Sequence, residues 1–119
     1  MSEAASPTPV VIEKTESAVI ARVQVKLLDD KELRVLSRLI DEAAGDSPGT
    51  TVVIDLSRVQ ILPSLGLGTL VQISNKCKSR QQRLRLAAVT PQVRQVFAIT
   101  KLDRVLELAD SVESAVGSL

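Results

Sequence analysis

The segment Thr51-Val52-Val53-Ile54-Asp55-Leu56 constrains the fold more than any other part of the chain. It is an almost unbroken apolar run that follows the turn-forming residues Gly45-Asp46-Ser47-Pro48-Gly49. A strand with one wet face alternates apolar and polar residues, because successive side chains point to opposite sides. A run without alternation suits a strand covered on both faces, as in a parallel sheet packed by helices. The flanking sequence supplies such helices. On one side Leu33, Leu36, Leu39, Ile40 and Ala43 repeat at helical spacing, with Asp29 and Glu32 placed as an N-cap and its reciprocal partner. On the other, Leu67, Leu70, Val71, Ser74 and Cys77 share a helical face that runs up to the cations between Lys76 and Arg80.

The remaining segments extend this pattern. Val10-Val11-Ile12 and Ala18 to Val23 are β-branched runs separated by Thr15-Glu16-Ser17, which predicts an antiparallel hairpin. Leu84 to Val89 is a further strand, and Thr90-Pro91 is an N-cap followed by proline at the first helical position. Val93, Val96, Phe97 and Thr100 give that helix its inner face. Val105 to Leu108 is a short last strand, and Asp110 or Ser111 caps a terminal helix with Val112, Ala115, Val116 and Leu119 inward. The order ββαβαβαβα predicts one α/β domain over residues 10–119, a single mixed sheet that opens on the hairpin, continues mostly parallel and is packed by helices. Residues 1–9, small and polar with Pro7 and Pro9, read as a disordered N-terminal tail.

Composition removes whole classes of chemistry. The chain has no histidine, so histidine general bases, nucleophile triads and histidine-ligated metal sites are excluded. Its one cysteine, Cys77, lies on the inner face of a helix and can form no internal disulfide, which fits a reducing compartment. A single aromatic residue, Phe97, gives single-stranded nucleic acid nothing to stack on. The N-terminus lacks a basic start and an apolar run, and no later stretch reaches membrane-spanning length. These features predict a cytoplasmic protein that works without cofactor or metal, is not an enzyme, and binds neither nucleic acid nor membrane. Between residues 56 and 102 eight cations, Arg58, Lys76, Lys78, Arg80, Arg83, Arg85, Arg94 and Lys101, occur without an acid, which predicts a basic face.

In open α/β sheets, sites gather where a strand's carboxyl end runs into a loop and a helix begins. Here that stretch is Asp55-Leu56-Ser57-Arg58, then Leu62-Pro63-Ser64-Leu65-Gly66-Leu67-Gly68. Pro63 biases Leu62 away from helix and places Ser64 as the N-cap. Gly66 and Gly68 each cost a helix about 1 kcal/mol relative to alanine, so each should mark a place where another part of the chain or a partner comes close. The fragment Gly66-Leu67-Gly68 completes neither a dinucleotide fingerprint nor a P-loop.

The same stretch resembles the signature of the STAS domain family, the anti-sigma factor antagonists and sulfate-transporter tails, in which a strand ending Asp-Leu-Ser is followed by Asp-Ser-Ser-Gly-Leu-Gly opening a helix. Pro63 stands where the family carries aspartate, and Leu65 where it carries a second serine. Leu28-Asp29 matches the family's pair before the first helix, and Leu84-Arg85-Leu86, Thr90 to Phe97 and Ile99 to Val105 are similar to its later strand, helix and final strand. The resemblance implies a protein that binds an anti-sigma factor with serine kinase activity and is released by phosphorylation at Ser64. It implies a partner surface of Asp29, Arg58, Pro63, Ser64, Leu65, Gly66 and Gly68.

Two other readings stay open. A non-switching scaffold in a signalling assembly would use the same fold. A receiver-type domain would carry an aspartyl phosphate on Asp55, although it needs further carboxylates converging with Mg²⁺ and the first strand ends in Glu13-Lys14. The oligomeric state is not legible.

Overall fold

A computed structural model describes residues 8–117. The hairpin is β1 (Val10–Lys14) and β2 (Ala18–Val23), paired antiparallel with Val10 opposite Val23. Then follow α1 (Asp30–Ala44), β3 (Thr51–Asp55), α2 (Ser64–Ser79), β4 (Arg83–Ala87), α3 (Pro91–Ile99), a 3-10 turn at Leu102–Arg104, β5 (Glu107–Ala109) and α4 (Val112–Gly117). The strands stand in sequence order, β1-β2-β3-β4-β5, and every pair after the hairpin is parallel. The mixed sheet read from the sequence is therefore the one formed.

Strand pleating divides the core. Val19, Ala21, Val23, Val52, Ile54, Leu84 and Leu86 face one way and meet Leu33, Leu36 and Ile40 of α1, Leu67, Leu70, Ile73 and Cys77 of α2, and Val93 and Phe97 of α3. The three parallel crossovers share one hand, which puts their helices on one face. Ile20, Val53 and Ala87 face the other way, against Val112 and Ala115 of α4. The central run of β3 lacks alternation because Val52 and Ile54 enter one layer and Val53 the other.

On the α4 side, charge completes what α4 leaves uncovered. Arg22 bonds Glu13 (2.8 Å) and Asp55 (3.0 Å) across three adjacent strands. Arg83 makes a two-pronged bond to Glu107 (2.8 and 2.7 Å). Arg85 donates to the Ser114 and Ala115 carbonyls at the end of α4 (3.4 and 3.0 Å). The expected basic face does not form as a single surface. Lys76 and Arg80 both reach Asp41 on α1 (2.9 Å each), and Arg83 and Arg85 lie beside Glu107. Four of the eight cations thus meet acids from segments outside the run, which linear counting could not pair.

Element ends differ in detail. The last strand forms at Glu107–Ala109, because Leu102–Arg104 first closes a 3-10 turn that leaves Val105 exposed as its C-cap. β4 ends at Ala87, and Ala88 takes a positive φ of 56°. Thr90 caps α3 as expected, accepting from the Val93 amide (3.5 Å). Ser111 caps α4, accepting from the Ser114 amide (3.0 Å). Of the tail expected over residues 1–9, residues 1–7 lie outside the described residues, as does Leu119. The Pro9 carbonyl accepts from the Gln24 amide (2.8 Å).

Candidate functional site

The carboxyl ends of β2 and β3 run into two loops that zip together. Gln60 and Ile61 donate to the Lys26 carbonyl (2.8 and 3.0 Å), Leu28 donates to Ile61 (3.0 Å), and Leu27 and Ile61 form a parallel bridge. α1 and α2 begin directly after these loops, so both helix starts stand side by side at one end of the molecule. Arg58 closes the base of the pair by donating to the Gln24 side-chain oxygen (2.6 Å). The Thr90 hydroxyl donates to the Val59 carbonyl (2.6 Å), tying the start of α3 to the same end.

Ser64 does not cap α2. It is the first helical residue, and Pro63 takes the cap position in extended geometry (φ −63°, ψ 154°) with no side-chain cap bond. The proline ring already holds the φ that an extended cap needs, which shifts the helix start one residue N-terminal of the sequence reading. Ser64 is exposed, next to the uncapped amide end of a helix whose first turn carries no acid. The hydroxyl needed to cap the helix in the sequence reading is thus left at the surface.

The two glycines serve different purposes. Gly66 is buried, and a Cβ there would come within 2.7 Å of Leu33 Cδ1 and 3.1 Å of Leu62 Cδ1. Its missing side chain lets α2 close on α1. A Cβ on exposed Gly68 would meet nothing within 4 Å, so packing gives no reason for glycine there.

Asp29 caps α1, accepting from the Lys31 and Glu32 amides (3.1 and 3.4 Å). A hydrogen bond with the Glu32 side chain, helped by those amides, holds the Asp29 carboxyl below its usual range, while the same bond, burial and the Asp29 charge push Glu32 up. The α1 start therefore gathers Asp29, Asp30 and Glu32, with Lys31 among them and Arg34 paired to Asp30 (2.7 Å), beside the acid-free start of α2.

Asp55, the phosphoacceptor of the receiver reading, is buried and engaged. One oxygen takes the Arg22 guanidinium and the other accepts from the Ser57 amide (2.9 Å). These bonds make it a strand-end tie. Cys77 is buried in the main core, and burial pushes its thiol up, away from reactivity. Among the described residues no helix is long and apolar enough to cross a membrane.

Of the apolar part of this end, the sequence reading named Pro63 and Leu65 but missed Leu27 and Ile61. Leu65 is 85% exposed, Ile61 58% and Leu27 43%. The available signal was a pair of apolar doublets in loops, Leu27-Leu28 and Ile61-Leu62. One member of each is buried and the other faces out.

These features define a small α/β domain with a mixed five-stranded sheet, whose strand-to-helix loops gather at one end. The STAS domain family model matches residues 9–115, and the chain belongs to that family. It is 31% identical over 76 residues to BtrV of Bordetella bronchiseptica, which is described as an anti-sigma factor antagonist. That match spans 64% of this chain and 66% of BtrV, just under two thirds of its length. An anti-sigma factor antagonist from Mycobacterium paratuberculosis superimposes with a TM-score of 0.76 at 26% identity, covering 92% of this chain and 91% of that one. The anti-sigma factor antagonist SpoIIAA in its unphosphorylated form superimposes with a TM-score of 0.75 at 22% identity, covering 92% and 94%.

Proposed function

We propose that this protein is a cytoplasmic anti-sigma factor antagonist, acting by binding rather than catalysis. Its partner is an anti-sigma factor with serine kinase activity, which docks on the end formed by the two zipped loops and the starts of α1 and α2. Phosphorylation of Ser64 is the off state. The observation that carries this reading is the exposed Ser64 hydroxyl at the first position of a 16-residue helix with no side-chain cap. Asp29, Arg58, Pro63 and Gly68 lie on the same loops and helix starts, and Gly66 contributes by setting the distance between the helices. The relatives described as anti-sigma factor antagonists support the partner class.

The switch follows from charge and bulk. A phosphate on Ser64 adds about 1.5 to 2 negative charges, which the amide end of α2 stabilises, so the free domain tolerates it. The bound state does not, because the partner's surface is shaped around a small neutral hydroxyl. The test is incubation with the purified cognate kinase and ATP. We expect one phosphate on wild type and none on Ser64→Ala, with Ser64→Asp losing kinase binding while keeping wild-type Tm. Equal labelling of Ser64→Ala, or tight binding by Ser64→Asp, overturns the switch. Tight binding by Ser64→Asp without any labelling of wild type favours a non-switching scaffold, a reading to which Pro63 lends weight by replacing an acid in the signature.

A further inference from the structure

We propose that Thr90 is a positioning residue for Ser64: one hydroxyl fixes the peptide unit that joins the loop presenting Ser64 to the loop presenting Asp29. This rests on the docking end and the Ser64 switch proposed above and names what holds that surface in shape. The peptide unit between Val59 and Gln60 is gripped on both sides. Its carbonyl accepts from the Thr90 hydroxyl (2.6 Å), and its N–H donates to the Lys26 carbonyl (2.8 Å). Lys26 belongs to the loop between β2 and α1, and Thr90 to the segment between β4 and α3. Three neighbouring loops therefore meet on one amide group. Among the described residues, the Thr90 hydroxyl makes the only hydrogen bond from the β4–α3 segment to residues 57–63.

The geometry of that hydroxyl favours holding over capping. A cap needs only to accept, and Thr90 accepts from the Val93 amide at 3.5 Å, the long end of the range, while the bond it donates is short. Val59 is fully buried, so water does not reach its carbonyl, and Thr90 is that oxygen's one donor among the described residues. Stranding a buried acceptor is costly, and without the donor the amide is driven to tilt toward solvent. An amide whose carbonyl accepts a hydrogen bond is also a stronger N–H donor, so the Thr90 bond reinforces the Gln60 bond to Lys26. The chain beyond is stiff. Ile61 donates to the same Lys26 carbonyl and accepts from the Leu28 amide, Leu62 is buried, and Pro63 leads straight into α2 at Ser64. A tilt at Val59 is thus passed on to Leu28-Asp29 and to Pro63-Ser64 instead of being absorbed between them.

The experiment separates the donated bond from the cap. Thr90→Ser keeps both, Thr90→Asp keeps the cap but has no proton to donate at neutral pH, and Thr90→Val keeps the shape and loses both. Each variant is assayed for Ser64 phosphorylation by the purified cognate kinase with ATP, below its own Tm, and by amide-resolved NMR. We expect Thr90→Ser within about twofold of wild type. Thr90→Asp and Thr90→Val should lose about tenfold or more in kcat with KM within about threefold, because a displaced hydroxyl reacts poorly on a surface that still binds. The Gln60 and Ser64 amide resonances should move in both variants and stay near their wild-type positions in Thr90→Ser. A threonine that only caps α3 gives a different order, with Thr90→Asp matching wild type, since aspartate caps at least as well. That result overturns the positioning role and leaves the docking reading standing. Where Thr90→Asp does not fold, Thr90→Val decides: wild-type kcat or an unmoved Gln60 resonance overturns the proposal, and a tenfold loss with a moved resonance supports it. Wild type that takes up no phosphate at Ser64 overturns the switch and this proposal together.

Discussion

Gly66 and Gly68 offer a matched pair of perturbations in which one term cancels. Replacing either by alanine removes the same backbone entropy cost of glycine in a helix, which stabilises by about 1 kcal/mol. At Gly68 nothing opposes that gain, since a Cβ meets no atom within 4 Å. At Gly66 the new methyl arrives 2.7 Å from Leu33 Cδ1 and 3.1 Å from Leu62 Cδ1, with the Leu28 carbonyl 3.7 Å away. Leu33 is fully buried against the sheet, so its methyl cannot swing into free space. Overpacking of this kind costs about 1 to 3 kcal/mol, because α2 must lift away from α1 or Leu33 must leave its rotamer. Gly68→Ala should therefore gain about 1 kcal/mol and Gly66→Ala should fall between no change and a loss of about 2. The difference between the two, about 1 to 3 kcal/mol, isolates the helix contact. For a domain of this size 1 kcal/mol corresponds to roughly 4 °C, so thermal melts followed by circular dichroism should separate the variants by about 4 to 12 °C. Equal melting temperatures would refute the argument that Gly66 exists to let the two helix starts close. They would also mean that the distance between Asp29 and Ser64 is not set by that glycine.

Two further outcomes follow from buried and paired polar groups. Burial tends to raise the Asp41 carboxyl, but hydrogen bonds and charge from Lys76 and Arg80 outweigh it and hold it below the usual range. A lowered folded-state value means stability that is present above the ordinary carboxylate range and lost as pH falls through the folded value. Wild-type Tm should accordingly drop below about pH 4, with Asp41→Asn showing a lower Tm at pH 7 and a smaller drop; a parallel profile would contradict the pairing. Gln82 is buried, and its side-chain amide donates to the Ala44, Gly45 and Ser47 carbonyls (3.3, 2.9 and 3.2 Å) at the end of α1. Gln82→Leu should cost about 1 to 3 kcal/mol in urea unfolding by stranding those acceptors, and a neutral result would show that water satisfies them instead.

Much of the architecture was legible because it depends on local periodicity. Unalternating β3, helically spaced α1 and α2, and the Thr90-Pro91 start of α3 each declare themselves within a window of a few residues. The last strand was misplaced by about two residues because a 3-10 turn at Leu102–Arg104 consumes residues that strand propensity alone would pair. The supposed basic face dissolved because Asp41 and Glu107 are distant in sequence and adjacent in space. At the site, the cap role of Asp29 was legible from its spacing to Glu32, whereas Ser64 was misread as a cap because Pro63 can hold cap geometry without a side-chain acceptor.

The sequence by itself determined the alternation of strand and helix, the central position of Thr51 to Asp55, and the loop on which a serine and two glycines meet. Those properties are carried by neighbours along the chain, where spacing of two or of three to four residues decides which side of an element is apolar. Only the tertiary structure decided which glycine packs and which is bare, which cations are neutralised, and that Leu27, Ile61 and Leu65 face outward at one end. Each of these depends on what a separate segment places against the residue, and Leu27 comes to Ile61 only through a backbone bridge between loops that no local pattern encodes.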